Sequence, residues 1–251
     1  MNKIDRCGES KLNDFGTKMT IIEYKDIHNI VVKFEDGYIT EAQYRQFKKG
    51  NLKSKNEKRF YNIGFLGVGK YETKINGKFT KQYSQWSGML TRCYNNKLHK
   101  EHMTYENCSV CEEWLNFQNF AKWFDENYYE VDNEVMNLDK DILIKGNKVY
   151  CPSTCIFVPQ NINKLFCKAD ASRGNLPIGV TYHERDHIFE VKCCGINKRT
   201  YLGRFNNSNE AFLHYKEYKE SVIKEIAKSY KNKIPKKLYS ALYMYKVETT
   251  D

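Results

Sequence analysis

Hydrophobic and polar residues alternate along the first part of the chain, which predicts short β-strands. Residues 19–24 and 29–34 follow this pattern, and Asp36-Gly37 supplies a turn signal after the second strand. Residues 41–48 fit one or two helical turns that end at Gly50. The pattern therefore predicts a small β module over residues 1–60, whose last part is a basic linker.

Further along, the apolar residues recur at helical spacing. From Gln85, one face of a predicted helix carries Trp86, Met89, Leu90 and Cys93. The face of a second helix carries Trp114, Phe117, Phe120, Ala121 and Phe124. Aromatic residues at this spacing are more often core than platforms for base stacking, so both faces are predicted to be buried.

A strand, a loop with a turn, a second strand and a helix start are predicted between residues 138 and 163. The first strand covers residues 138–142, and the second follows from Tyr150. Pro159 suits the start of a helix, because a first helical position needs no backbone N–H. The unit places the carboxylate of Asp139 at one end and the amide of Asn163 at the other.

The last part of the chain predicts three strands and one helix. Polar residues 168–175 form a predicted linker, and strands follow over 180–184, 188–193 and 199–205. Ser208 with Glu210 is an N-cap signature, and the helix should run to about Tyr230. The predicted class is α+β, with domains over 1–60, 61–168 and 175–230 and a basic C-terminal tail over 231–251.

Charge and cysteine content narrow the class of protein. The formal net charge of the 251 residues is +10, which favours a polyanionic partner, nucleic acid before an anionic membrane surface. No apolar run approaches the ~20 residues of a membrane helix, so we expect a soluble cytoplasmic protein with no membrane partner. Nine cysteines favour reduced thiols. A zinc site could be assembled from Cys93, Cys108, Cys111 and Cys155, although packing thiols are the preferred interpretation.

The charge is distributed unevenly. Residues 48–59 form a basic cluster that includes Lys53 and Lys55, and residues 228–237 are basic again. Carboxylates gather over residues 101–141. This arrangement fits a protein that contacts DNA phosphates through Lys53 and Lys55 and holds a cation between basic flanks. An ordinary solvated surface remains the alternative for either basic cluster.

The middle region resembles the phage-type HNH (ββα-metal, or His-Me finger) homing endonucleases over roughly residues 86–166. The matching residues are Trp86, Met89, Leu90, Arg92, Cys93, Tyr94, Val110, Cys111, Glu113, Trp114, Phe117, Phe120, Leu138, Asp139, Asp141, Ile142, Tyr150, Pro152, Cys155 and Asn163. The resemblance implies that Asp139 and Asn163 hold one divalent cation, such as Mg²⁺, against a scissile phosphate. It also implies that residues 61–168 form an HNH-like nuclease domain.

Lys140 stands where that family keeps its catalytic histidine. A lysine of ordinary pKa, ~10.4, is protonated at neutral pH and cannot accept a proton from water. As a cation Lys140 could hold the phosphate, while Asp141 or a histidine such as His102 orients the water. Thr154 also replaces the Asn that orients the family's histidine. The replacements at Lys140 and Thr154 fit either a variant mechanism or a loss of cleavage.

The last domain resembles the DNA-binding domain of the plant ethylene-response-factor (Apetala) family. The resemblance is carried by Gly179, Val180, Glu190, Val191, Glu210, Ala211, Tyr215 and the run from Tyr201 to Phe205. It implies double-stranded DNA as the partner. Alternation along the strands predicts a DNA-contacting face made of Thr181, His183, Arg185, Glu190, Lys192, Arg199 and Tyr201.

Two resemblances therefore favour a metal-dependent DNA endonuclease. One alternative is a DNA-binding regulator that kept the scaffold and lost cleavage. A second alternative is a phage factor whose basic surface binds a host defence protein or its RNA.

Overall fold

The computed structural model describes residues 5–166, 176–195 and 199–251. The chain divides into two compact units: Met1–Glu126 with Val149–Cys151, and Asn127–Lys148 with Pro152–Asp251. The predicted α+β class is confirmed, since helices and several small sheets occur in both units. The predicted linker over 168–175 lies outside the described residues. The sequence-based domain boundaries remain predictions.

The first unit begins with a four-stranded antiparallel sheet. Its strands are β1 (Ser10–Leu12), β2 (Lys18–Asp26), β3 (Asn29–Phe34) and β4 (Ile39–Ala42), paired in that order. The helix α1 (Tyr44–Lys49) ends at Gly50, which adopts the left-handed conformation with φ 82°. The core combines Met19, Ile21, Ile30, Val32, Phe34 and Phe47. Alternation predicts these strands correctly because one face of the sheet is buried.

The segment predicted to be a basic linker packs against this sheet. Ser54 and Glu57 are buried. The side chain of Asn13 donates to Leu52 O at 3.0 Å and to the Glu57 carboxylate. The anchored backbone leaves Lys53 exposed, with its Nζ 5.1 Å from the centre of the Phe15 ring.

The rest of the first unit is mainly helical. It contains β5 (Lys74–Ile75), β6 (Lys78–Phe79), α2 (Lys81–Tyr94), α3 (Asn96–Glu101), β7 (Ser109–Val110), α4 (Glu112–Leu115), α5 (Phe117–Asn127) and β9 (Val149–Tyr150), which pairs in parallel with β7. Trp86 Nε1 donates to Trp114 O at 2.7 Å, and both rings are fully buried. The prediction that these aromatic faces are core is confirmed.

The second unit contains two sheets. The strand β8 (Met136–Asp139) pairs antiparallel with β10 (Ile156–Pro159), and α6 (Gln160–Asn163) follows directly. The strands β11 (Val180–His183), β12 (Ile188–Cys194) and β13 (Arg199–Phe205) form an antiparallel sheet in that order. The helix α7 (Ser208–Ser229) packs on this sheet. Its N-cap is Asn207, whose side chain accepts from Asn209 N at 2.7 Å, one residue before the predicted cap.

Residues 231–251 carry the helix α8 (Lys236–Tyr243), which packs on α7. Residues 244–251, here called the C-terminal strap, then lie across α7 and reach the start of β11. Lys216 Nζ donates to Val247 O at 2.7 Å, and Glu220 accepts from Val247 N at 3.0 Å. Ile178 N donates to Thr249 O at 3.2 Å. The strap therefore belongs to the packed three-stranded module. Among the described residues, no helix has the length and apolar character needed to cross a membrane.

Gly179, which directly precedes β11, packs closely on Tyr215 of α7. Its φ is +78°, and a Cβ at this position would lie 2.0 Å from the ring of Tyr215. Gly146 has a similar φ of +77°, but no atom lies within 4 Å of the Cβ position. Both glycines therefore need a positive φ, but only Gly179 also lacks space for a Cβ.

We expect Gly179→Ala to destabilise the protein more than Gly146→Ala. The strained backbone should cost about 1–2 kcal/mol at both positions, and the clash with Tyr215 should add about 1–3 kcal/mol at Gly179 alone. Urea unfolding of both variants measures the difference. Equal losses would contradict the close packing of Gly179 on Tyr215.

Candidate functional site

A strand–loop–strand–helix order is present in the second unit, but the first strand ends at Asp139 rather than Ile142, and the second starts at Ile156 rather than at Tyr150. Asp139 is the last residue of β8 and lies opposite Ile156, the first residue of β10. The helix α6 starts as soon as β10 ends, and it contacts β8. The local chain order alone produces this arrangement, which explains why the sequence pattern predicts it.

The carboxylate of Asp139 is held by the loop that follows it. Its Oδ1 accepts from the backbone N–H groups of Asp141 at 2.9 Å and Ile142 at 2.7 Å. Burial raises the pKa of Asp139 to about 6, and the negative charge of Asp141 adds to this effect. The two N–H donors and Lys140 act in the opposite direction without cancelling it. Asp139 is therefore a fixed carboxylate whose negative charge is incompletely compensated.

Lys140 and Asp141 form an ion pair beside Asp139. Lys140 is buried, and its Nζ lies 3.2 Å from Asp141 Oδ2. The side chain of Asp141 is 46% exposed, so this carboxylate reaches solvent while Lys140 does not. The backbone carbonyl of Lys140 accepts from Asn147 Nδ2 at 2.7 Å, which fixes the turn after β8. The exposed partner, Asp141, is the one positioned to meet water.

The remaining predicted residues of this site are more scattered. Asn163 is the last residue of α6 and is half-buried. Thr154 is buried, with its Oγ1 4.0 Å from Cys155 Sγ. His102 is exposed and belongs to the first unit. Asp139 lies at the end of β8, whereas α6, which carries Asn163, begins beside Met136 at the start of that strand.

The cysteines considered for zinc are distributed over both units. Cys93, Cys108 and Cys111 belong to the first unit, and Cys155 belongs to the second. Cys93, Cys108 and Cys155 are buried, and burial raises the pKa of Cys111. Within the described ranges, no group of three or more His, Cys, Asp or Glu side chains could hold a metal.

Within the part of the chain that the structure describes, α7 covers one face of the three-stranded sheet, and the opposite face is here called the open face. Val180, Val191 and Cys193 point towards α7 and are buried. Cross-strand pairing places Thr181 opposite Glu190, and Lys192 opposite Tyr201. The open face therefore carries Thr181, His183, Glu190, Lys192, Arg199 and Tyr201, as alternation predicts. Arg185 is different, because β11 ends at His183 and Arg185 lies in the following turn.

Glu190 is the buried centre of this open face. It forms an ion pair with Lys192, and its Oε1 lies 3.6 Å from His183 Nε2. Its Oε2 lies 3.8 Å from Arg204 Nε. The hydrogen bond from Lys192 is the main cause that lowers the pKa of Glu190. This carboxylate is accordingly ionised, and it holds cationic side chains together.

Comparison of the chain with protein-family models, with curated proteins and with solved structures found no match. The two family resemblances therefore rest on the sequence motifs, and the roles they imply remain proposals.

Two features near these sites were not predicted from the sequence. Arg204 joins the open face, because a register shift in β13 changes the alternation. Lys145, in the loop after Asp141, contacts the C-terminal strap. Its Nζ lies 2.7 Å from Asp251 Oδ2 and 3.3 Å from Glu248 Oε2, and 5.0 Å from the ring centre of Tyr245. The sequence does not predict this contact. Lys145 is far from Glu248 and Asp251 in the chain, and all three resemble ordinary surface charges.

We expect Asp139→Asn to stabilise the metal-free protein at neutral and higher pH. Between its ordinary pKa of 3.8 and about 6, the folded state keeps a proton on Asp139 that the unfolded state releases. The contribution of Asp139 to stability therefore falls as pH rises through this range. The variant should gain about 1–3 kcal/mol at pH 8 and nothing at pH 4.

Urea unfolding in EDTA at the two pH values provides the measurement. Asp132→Asn is the control, because Asp132 is exposed and pairs with Lys233 at the surface. A loss of stability in Asp139→Asn at pH 8 would show that the carboxylate is fully compensated.

Proposed function

We propose that this protein is a metal-dependent DNA endonuclease of the HNH type. In this proposal, the open face of the three-stranded sheet selects the DNA, and the strand–loop–strand–helix unit carries the hydrolytic site. Asp139 and Asn163 hold one divalent cation such as Mg²⁺. The observation that carries the proposal is the fixed, incompletely compensated carboxylate of Asp139 at the end of β8.

The donor set at this position suits a hard cation. Mg²⁺ prefers oxygen ligands and commonly takes only one or two protein carboxylates, with water and phosphate oxygens completing its coordination. Asp139 Oδ1 accepts from two N–H groups, and in this proposal Oδ2 is the oxygen that binds the cation. The Asn163 side chain supplies a neutral oxygen. When bound, the cation would neutralise negative charge on the phosphoryl oxygens and on the leaving oxygen.

The neighbouring residues have separate roles in this proposal. Asp141, whose carboxylate is exposed, orients the attacking water. The ammonium of Lys140 is paired with Asp141 and fixes its position. In this proposal Lys140 positions Asp141 and does not act as the base. This assignment changes the expectation that Lys140 itself contacts the phosphate, because its side chain is buried.

The regulator alternative is favoured by a different observation. No histidine follows Asp139, and Lys140 is held in an ion pair. A site that has lost its base and kept its scaffold would bind DNA without cutting it. The alternative in which a host protein or RNA is the partner depends on the basic charge alone.

We expect Asp139→Ala and Asn163→Ala to abolish Mg²⁺-dependent nicking of supercoiled plasmid and phage DNA. Duplex affinity should stay within a few-fold of the wild type, since neither residue lies on the DNA-contacting face. Asn161→Ala is the matched control, because it removes an amide from the same helix. Cleavage by Asp139→Ala at the wild-type rate would exclude the metal role. No cleavage by wild type with Mg²⁺, together with tight duplex binding, would favour the regulator.

We expect Lys140→His to retain or raise nicking activity. Imidazole has a pKa of ~6.5 and can accept a proton near neutral pH, which an ammonium cannot do. Lys140→Met should lower activity because Asp141 loses the partner that positions it. Initial nicking rates at several pH values compare the three proteins. If the histidine variant is inactive while the methionine variant cuts normally, Lys140 is structural and its pairing with Asp141 has no part in the reaction.

A further inference from the structure

Two cysteines follow directly after the parallel strands β7 and β9. Val110 of β7 pairs with Tyr150 of β9, so the next position of the register brings Cys111 beside Cys151. The pairing reaches this position, because Cys111 N donates to Tyr150 O at 2.9 Å. Val110 and Tyr150 are buried, whereas both cysteines are half-buried. This pattern fits strand alternation, in which Cys111 and Cys151 share the face opposite to Val110 and Tyr150.

Two side chains of α2 hold this register in place. Tyr94 Oη accepts from Val110 N at 2.9 Å, and Arg92 Nε donates to Tyr150 Oη at 3.1 Å. The guanidinium carbon of Arg92 lies 5.4 Å from the centre of the Tyr150 ring. Because one helix contacts both strands, the two cysteines that follow them are kept side by side.

The spacing of paired strands suits a disulfide bond. Neighbouring strands lie about 4.7–4.9 Å apart, and the Cα atoms of disulfide-bonded cysteines are usually about 4.4–6.8 Å apart. Burial is the main cause that raises the pKa of Cys111, and a negative charge on Cys151 raises it further. The second effect requires that the two sulfur atoms lie close together, since electrostatic repulsion falls with distance. The strands β7 and β9 contain two residues each, so little regular structure opposes a small adjustment.

The neighbouring cysteines have different surroundings. Cys93 and Cys108 are buried in the first unit, and Cys155 is buried in the second. A thiol must be accessible to react with an oxidant, and partial exposure gives Cys111 and Cys151 this access. Among the cysteines that the structure describes, these two are the pair that a strand register places side by side.

We propose that Cys111 and Cys151 are an oxidative modification site, at which the two thiols close a reversible disulfide. The oxidant is a small disulfide such as glutathione disulfide. One cysteine, as thiolate, attacks a sulfur of the oxidant, forms a mixed disulfide and releases one glutathione thiolate. The other cysteine loses its proton and attacks the cysteine sulfur of the mixed disulfide, which releases the second glutathione thiolate. Two electrons pass from the protein to the oxidant, and the two protons end on the released thiols.

The disulfide fastens a short return of the chain into the first unit. Val149–Cys151 belongs to that unit, whereas the residues on either side of this segment belong to the second. The closed loop runs from Cys111 to Cys151 and contains Asp139. Closing a loop removes conformational entropy from the unfolded chain, so the oxidised protein is the more stable form. The inference is independent of the proposed nuclease activity.

The test uses the full chain, which is reduced and then incubated in its folded state with glutathione disulfide at several pH values. The remaining thiols are alkylated, and the protein is digested with trypsin without reductant. Trypsin cuts after lysine and arginine, so Cys111 lies in the peptide 101–122 and Cys151 in the peptide 149–164. These peptides also contain Cys108 and Cys155. Cys108→Ser and Cys155→Ser are therefore the matched controls for Cys111→Ser and Cys151→Ser.

We expect mass spectrometry to find the two peptides joined in the wild type, and dithiothreitol to separate them. Cys108→Ser and Cys155→Ser should keep the joined peptides, and Cys111→Ser and Cys151→Ser should lose them. Formation should be faster at higher pH, because the raised pKa of Cys111 leaves little thiolate at neutral pH. Urea unfolding should show a higher midpoint for the oxidised wild type than for its reduced form, and no such shift in Cys111→Ser.

Three results would overturn the inference. The first is a wild type that keeps glutathione as a mixed disulfide and never closes the bond. The second is a joined peptide that persists in Cys111→Ser, which would assign the bond to another cysteine. The third is closure at the same rate in folded protein and in urea, since the strand register would then have no part in it. Cys111→Ala repeats the comparison with an apolar side chain, in case serine disturbs the half-buried position.

Discussion

The compensation of buried carboxylates is the constraint on which the second unit depends. An ionised carboxylate that leaves water must gain cations or N–H donors, or it destabilises the fold. Glu190 gains Lys192 and its neighbours. Burial alone would raise the pKa of Glu220, but Val247 N and Lys246 outweigh it and lower that pKa. Asp139 differs, because burial and Asp141 outweigh its partners and its pKa is raised to about 6. Natural proteins keep such uncompensated groups mainly where they serve function.

The fold elements were predicted from the sequence wherever one face of an element is buried. The strands around Met19 and Ile30 and the aromatic face around Trp86 follow this rule, since burial repeats with the period of the element. The segment around Ser54 and the C-terminal strap were different. Polar and charged residues outnumber apolar ones in both segments, and the contacts that fix them come from residues far away in the chain. A charged segment with few buried apolar residues is therefore predicted to be a linker or tail, although the structure shows it packed.

The placement of the candidate residues on strands and helices was predictable to a similar degree. The order of β8, β10 and α6 is local, so the positions of Asp139 and Asn163 follow from the pattern. The burial of Lys140 does not, because it depends on how the loop after β8 folds back. On the sheet, alternation placed Thr181 and Tyr201 but could not place Arg204. A bulge adds one residue to a strand, and no clear sequence signal marks it. Every residue beyond the bulge then lies on the face opposite to the one that alternation assigns.

The C-terminal strap has a consequence for the order of folding. Lys145 and Asp251 are 106 positions apart in the chain, yet their side chains meet at 2.7 Å. Closing so large a loop carries a high entropic cost, and contacts of this separation form slowly compared with those of hairpins and helices. The loop beside Asp139 is therefore expected to acquire its final restraint after the sheet and α7 have assembled. The loop beside Asp139 would then reach its final arrangement only after the three-stranded module is complete.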